Sequence, residues 1–505
     1  MRYVCVHGHF YQPPRENPWT EEIDLQPSAA PFHDWNERIH EECYRANAAA
    51  PILDAAGRTT RVINNYGYFS FNFGPTLLSW MDRHDPKFID ELAQADRDAR
   101  PRYGGHGPAM AQGWGHPIMP LCDERDRTTQ TLWGLQEFSF RFGRQSEGFW
   151  LPETAVDSAT LETLSLYGVR FVVLAPHQAE AVQYADDEEW HDVSDGSIDS
   201  RRAYRAELPS GRSIDLFFYD GARSSAIAFD GLLNSGVELA KRLRSGFVPL
   251  DEAQLVHVAV DGETFGHHHR HGEMALAHAI DILEQDESVA WTCYGEFLER
   301  FPAKDLVRIR ERSAWSCTHE LGRWKRDCGC GSSPEHDQSW RAPLREALDA
   351  LREMIRPHWE QRAARDFTDP WAARNDWIQL LLRNDDERWR LFLERHALPG
   401  HDSSDPTRRA EWRQLFELQQ RLLQTSTSCA WFFEDLGRIE TVQVLRYAAR
   451  AIELARELLD LHCEGPFLKL LEKAKSLDPK VGNGRELWNR RVISCSRSPH
   501  RTQNT

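Results

Sequence analysis

Cysteine is sparse in this chain, 10 residues in 505, and widely spread. That is not the dense spacing of a stapled secreted domain, so reduced thiols in a cytoplasm are the expected state. A basic surplus is also missing. The 61 Lys and Arg residues face 78 Asp and Glu, leaving a net charge of −17, which argues against an electrostatic grip on nucleic acid or anionic lipid. No apolar run approaches the roughly 18 residues that cross a bilayer. The opening residues, MRYVCVHGHF, lack the charged start and apolar core of a secretory signal. No period of 20 to 50 residues recurs, which excludes a solenoid. Hydrophobic residues at 41% suffice for a large core, and 28% charged with 11% aromatic residues is not a disordered composition.

The chain has room for two or three domains. Its first 300 residues alternate short β-branched or aromatic runs with helix-compatible stretches. The runs are Tyr3 to Val6, Arg61 to Asn64, Gly148 to Leu151, Arg170 to Leu174, Ile214 to Tyr219, Leu255 to Val260 and Ser288 to Tyr294. Runs apolar at nearly every position suit strands covered on both faces, and their alternation with helices predicts a parallel sheet of about seven units closed into a distorted parallel (β/α)7 barrel. From about Phe301 the texture becomes helical, as in PLREALDALREMIRPHW and TVQVLRYAARAIELARELLDL. The expected division is a catalytic barrel over 1–300, a helical domain over 301–490 packed on the barrel mouth, and a disordered tail over 491–505. The segments 326–337 and 399–406 read as loops.

Polar residues gather after the strands. His7, His9 and Gln12 follow the first, Glu153 the third, Asp220 and Arg223 the fifth, and Asp261, Glu263 and His267 to His269 the sixth. In a parallel barrel all of these ends open on one face, so residues distant in sequence converge there. His7 and His9, two apart on a strand, project to one side. They suit metal ligation, substrate contact or a core role. Glu153 follows Pro152 beside Trp150; its plainer reading is a helix N-terminal charge. Asp261 and Glu263 flank a glycine at a strand end, where the plainer reading is a solvated turn. Two acids from separate strands of one barrel are what acid/base chemistry needs. The run HHHRH cannot aim every side chain at one centre, so its first histidines are read toward the site and its later ones toward water.

Farther on, Cys317, His319, Cys328 and Cys330 could make a zinc site, although Cys-x-Cys departs from the usual separation of two to four residues. The favoured reading is an aromatic loop, with Trp315 and Trp324 reaching over the barrel mouth. Nine of the 18 tryptophans lie between Trp315 and Trp431, and most are read as helix-packing core.

The motifs resemble glycoside hydrolase family 57, whose members act on α-glucans and similar α-linked sugars. HGHFYQPP is similar to its first motif, with Phe10 and Tyr11 placed before Gln12 and Pro13. AQGWGHPIMPL resembles the stretch around its second motif, although YGGHGPAM lacks the acidic residue often found upstream. FWLPE resembles the third motif, which implies that Glu153 is the nucleophile, and VDGETFGHH the fourth, which implies that Asp261 is the general acid/base. The fifth corresponds to Trp315 to Trp324.

The resemblance covers about residues 1 to 330 and implies a retaining double displacement on an α-glucan or oligosaccharide, as an α-amylase, a 4-α-glucanotransferase or a branching enzyme, with no metal or organic cofactor. His7, His9 and His268 are then candidate donors to sugar hydroxyls, and Trp114, Trp150 and Trp315 candidate sugar platforms. Gln12, Asp220, Arg223, Glu263 and Trp324 complete the expected substrate-binding set. Two other readings stand beside it: a metal-dependent, amidohydrolase-like hydrolase using His7 and His9, and a catalytically inactive sugar-binding protein. Nothing in the sequence specifies an oligomer.

Overall fold

In a computed structural model the described residues are 1–331, 337–400 and 405–493. The chain forms two compact units. The first comprises Met1–Gln12, Leu25–Gly113 and Phe138–Trp315, and the second Pro13–Asp24, Trp114–Glu137 and Ser316 onward.

Seven parallel strands build the first unit: β1 (Arg2–Phe10), β2 (Ser70–Phe73), β3 (Ala111–Gln112), β4 (Gly148–Trp150), β5 (Phe171–Leu174), β6 (Ser213–Phe218) and β7 (Gln254–Asp261). β1 lies between β7 and β2, and β3 through β6 follow in order. Two joints make the ring irregular. A single parallel bridge, Phe71 to Ala109, links β2 to the segment entering β3, and the Asp220 N–H donates to the His257 carbonyl at 2.9 Å where β6 meets β7. The barrel is therefore a distorted (β/α)7 barrel.

Two strands differ from the sequence reading. Arg61 to Asn64 does not enter the ring, because Thr59–Ile63 pairs antiparallel with Ala50–Leu53 as a separate hairpin whose Thr59 to Val62 are exposed. The ring uses instead the short, fully buried Ser70–Phe73 and Ala111–Gln112. Ala290–Trp291 pairs only with the start of β1. Between β5 and β6 the connection is made of strands, among them Ala203–Glu207, antiparallel to β6.

Period-two alternation sorts each barrel strand. On β1, Val4, Val6 and Phe10 are fully buried on the outer face, while Tyr3 and Cys5 join Trp150, Phe171, Val173, Phe217, Tyr219, Leu255 and Ala259 in the barrel core. The inner stripe of β1 continues as His7 and His9, so the interior turns from apolar to polar toward the C-terminal ends. Cross-strand register sets His9 opposite Asp261 on one side and opposite Asn72 on the other.

The second unit is helical among the described residues. Its longest helices are Arg341–Ala363, Pro406–Gln424 and Ile439–Leu459, which cover the stretches with helical spacing. Trp359, Trp377, Trp389 and Trp412 pack with Phe367, Phe392 and Phe416, and the buried Arg374 guanidinium pairs with Asp126 at 2.8 Å. Residues 491–493 belong to the last helical turn. The rest of the expected tail, and residues 332–336 and 401–404 of the two expected loops, lie outside the described residues. Among those described, no helix is long and apolar enough to cross a membrane.

Gly262, just after β7, shows how tightly the outer layer is packed. A Cβ there would lie 2.3 Å from the Phe10 ring, which is buried and stacked on Phe73 at 4.7 Å. Gly262→Ala should cost about 1–3 kcal/mol by overpacking. Gly465→Ala, in a helix with open space around it, should be neutral or stabilise by about 0.4–1 kcal/mol. Denaturant midpoints of both variants check the contrast.

Candidate active site

Glu153 sits on a turn that sequence propensity would not choose. After β4, the 3-10 turn Pro152–Thr154 places Glu153 at φ 59° and ψ 18°, and Thr154 follows at φ 49°. Left-handed backbone at a residue bearing a side chain costs on the order of 1–3 kcal/mol and persists only where its surroundings over-determine it. Here they do. The Trp315 N–H reaches the Glu153 carbonyl at 3.1 Å and Thr154 Oγ1 at 2.9 Å. Thr154 Oγ1 donates to Gln178 Oε1 at 2.7 Å, and Gln178 Nε2 donates to the Thr154 carbonyl at 2.8 Å. The indole Nε1–H of Trp315 donates to Glu153 Oε2 at 2.9 Å, fixing the carboxylate as well as its backbone.

Asp261 ends β7 with a carboxylate open to solvent yet surrounded by protein, as in a cleft open on one side. Loss of hydration, and then the negative charge of Glu153, push its carboxyl up to about 7. The two acids, 108 positions apart in sequence, thus share one electrostatic environment. Two residues on, Glu263 is buried and accepts from the Tyr11 N–H at 3.0 Å and the Tyr44 hydroxyl at 2.6 Å. Burial raises it to about 8 despite these donors, and Asp261 adds to the rise. A neutral Glu263 spares Asp261 a second negative neighbour.

Aromatic rings wall the acids. Trp315 meets Trp150 edge-on at 5.4 Å, Tyr219 at 6.5 Å and His9 at 6.5 Å. His7 and His9 stack on Trp150 at 4.6 and 5.1 Å. Asn72 holds both histidines: His7 Nε2 lies 3.1 Å from its Oδ1, while its Nδ2 donates to His9 Nδ1 at 2.9 Å and to Gln112 Oε1 at 2.7 Å. His7 Nδ1 lies 3.1 Å from Ser70 Oγ. Burial lowers both imidazoles to about 3, so they are neutral.

The structure brings together His7, His9, Trp150, Glu153, Asp261, Glu263 and Trp315. His7 has both ring nitrogens engaged inside the barrel, and Trp150 is fully buried and stacked against both histidines. Asp220 caps the helix Gly221–Phe229 and pairs with Arg223. Arg223 also donates to the Arg242 carbonyl at 2.9 Å and Ser245 Oγ at 3.1 Å. Gln12 is half-buried and donates to its neighbour's carbonyl at 2.9 Å.

In the histidine run, His267 pairs with Glu42 at 2.6 Å and His269 with the Ala228 carbonyl at 2.8 Å, leaving His268 exposed between them. Trp114 and Trp324 belong to the second unit and are buried, Trp114 packing edge-on against Trp133 at 4.9 Å. Both are core, as large apolar rings usually are.

Sequence reasoning missed Asn72, Gln112, Tyr11, Tyr44 and Gln178. The alternation in Ser70–Phe73 was the one available signal, and its brevity hid it. Among the described residues, the group of three or more His, Cys, Asp or Glu residues placed to share a metal is Cys317, His319, Cys328 and Cys330, and it does not include His7 or His9.

A two-carboxylate, aromatic-walled mouth on a seven-stranded barrel is the architecture of a glycosidase-type site, and the comparisons agree. The description "Glycosyl hydrolase family 57" matches residues 6–310, and the chain belongs to that family. A second description, "Domain of unknown function (DUF3536)", matches residues 336–502. The chain is 24% identical over 255 residues to an alpha-amylase of Pyrococcus abyssi, covering 48% of this chain and 34% of that protein. It is likewise 24% identical over 255 residues to a 4-alpha-glucanotransferase of Thermococcus kodakarensis, covering 48% and 35%. It thus spans about a third of the length of these curated relatives.

Among solved structures, an exo-type maltose-forming amylase from Pyrococcus sp. ST04 superposes with a TM-score of 0.69 at 16% identity, covering 98% of this chain and 88% of that one. A branching enzyme from Pyrococcus horikoshii gives 0.52 at 15% identity, covering 93% and 90%. At these identities the superpositions establish the fold alone.

The buried histidines make a pH prediction. Each has a folded pKa of about 3 against about 6.5 when unfolded, so between those values the unfolded chain binds more protons. Their contribution is present above about pH 6.5 and is lost as pH falls toward about 3. Asp261 and Glu263, raised in the folded state, act in the opposite sense, so the test is a difference. The stability advantage of the wild type over His7→Gln should shrink on acidification from about pH 6.5. Unfolding curves with an advantage independent of pH would show that His7 is not held neutral.

Proposed function

We propose that this chain is a retaining glycosidase or transglycosidase of α-linked glucans, with Glu153 as nucleophile and Asp261 as general acid/base. The observation that carries this reading is the electrostatic coupling of the two acids, one locked in a strained turn and the other raised toward neutrality. A retaining site needs one carboxylate to attack the anomeric carbon and a second carboxyl to protonate the leaving oxygen, then to activate the acceptor.

Trp315 fits the first role. By donating to Glu153 Oε2 it orients the carboxylate for attack. A carboxyl raised to about 7 fits the second, since it holds its proton in much of the population at neutral pH and can take it back in the second half of the reaction. The negatively charged chain suits a neutral sugar polymer, and the relatives named alpha-amylase, 4-alpha-glucanotransferase and branching enzyme support α-glucan as the substrate class. Water or a sugar hydroxyl at the acceptor position then sets hydrolysis against transfer.

Incubation with maltoheptaose and amylose, with the products resolved, tests the proposal. Glu153→Ala and Asp261→Asn should each lower the rate by at least about a thousandfold, because each removes one step of the double displacement. Near wild-type turnover in either variant removes that residue from its role.

The pH dependence makes a separate test. Wild-type kcat/KM should fall as pH rises through about 7, where Asp261 loses its proton. A profile flat to well above pH 8 would assign the proton to another group.

A further inference from the structure

We propose that Cys317, His319, Cys328 and Cys330 form a structural zinc site in the second unit. One ligand atom from each of the four lies within 4.8 Å of the others. The Cys317 sulfur is 3.9 Å from that of Cys328 and 3.8 Å from that of Cys330, and His319 Nδ1 is 3.3 Å from Cys330 Sγ. Sulfurs about 2.3 Å from a common tetrahedral ion are separated by about 3.8 Å, whereas a disulfide brings them to about 2.05 Å. The spacing is that of ligands around an ion.

The surrounding chain is shaped to the same end. Cys-x-Cys is short for a zinc pair, but Gly329 between the two cysteines adopts φ +77°, a left-handed turn that lets both thiols converge. Gly322 is required on the other side, since a Cβ there would lie 2.7 Å from Cys328 Cβ. The Arg323 N–H donates to Cys317 Sγ at 3.5 Å, and Arg326 donates to the His319 carbonyl at 3.1 Å. Such outer contacts orient metal ligands.

Charge gives an independent argument. The fully buried Arg341 donates Nη1 to the Cys330 carbonyl at 3.0 Å, while its Nε and Nη2 find no acceptor among the described residues. A buried guanidinium is costly, and here the repulsion of Arg323 opposes the attraction of Asp327. One divalent ion with three thiolates and a neutral imidazole carries a single negative charge, which would balance it. Three thiolates with one imidazole form a recurrent closed set for zinc, with no position left for substrate, so the role is to fix this loop rather than to catalyse.

The test uses the full chain from zinc-supplemented cells, purified under reductant and desalted, with metals measured by mass spectrometry. About one zinc per chain is expected, falling at least about tenfold in Cys330→Ser and His319→Ala. In the wild type, Cys317, Cys328 and Cys330 should resist alkylation until a chelator is added, and cobalt(II) exchanged into the site should show tetrahedral d–d and thiolate charge-transfer bands. The wild-type measurements decide alone if a variant fails to fold. Wild-type protein that holds no zinc as purified or after reconstitution, zinc retained by both variants, or iron with acid-labile sulfide in its place would each overturn the proposal.

Discussion

The strained turn at Glu153 and Thr154 is the constraint on which the site depends. Two successive left-handed residues with side chains would relax if left alone. They are held because Thr154, Gln178 and the backbone of Trp315 satisfy one another's donors and acceptors. Trp315, whose backbone N–H helps to pin the turn, also donates its indole N–H to the Glu153 carboxylate, so one residue bears on both the geometry and the electrostatics of this acid. Strain of this kind clusters at functional sites, where a fixed orientation matters more than local comfort.

Around that turn, the barrel interior manages charge by keeping most of its polar groups neutral. His7 and His9 lose their protons through burial, and Glu263 gains one. What remains is Glu153 coupled by its charge to Asp261, whose pKa is raised. The arrangement follows from the two-residue repeat of the strands, which puts apolar side chains at the bottom of the inner stripe and polar ones at the top. Asn72, opposite His9 in register, is the hub that gives both buried, neutral histidines a hydrogen-bond partner.

Much of this was legible in the sequence, for physical reasons. Buried parallel strands must be apolar on both faces, so FVVL and VHVAV announced themselves. Acids at strand ends of a parallel barrel converge by topology, so Glu153 and Asp261 could be paired without coordinates. What failed was local. The hairpin strand at Thr59–Ile63 has the same β-branched texture as a barrel strand, while Ser70–Phe73 and Ala111–Gln112 are too short for periodicity to register. Asp220 and Arg223 looked like mouth residues because an N-cap and its ion pair occupy the same strand-end position as a ligand contact. The left-handed turn had no sequence signal, since Pro-Glu-Thr reads equally well as the start of a helix.

The central claim is that Glu153 becomes covalently bonded to the sugar. A 5-fluoro-α-glycosyl fluoride, which slows turnover of the glycosyl-enzyme, followed by proteolysis and peptide mass mapping, tests it directly. A single glycosyl adduct on Glu153, formed with release of fluoride, is the predicted result. An adduct on another residue, or turnover with no adduct and inverted product configuration, would contradict the account.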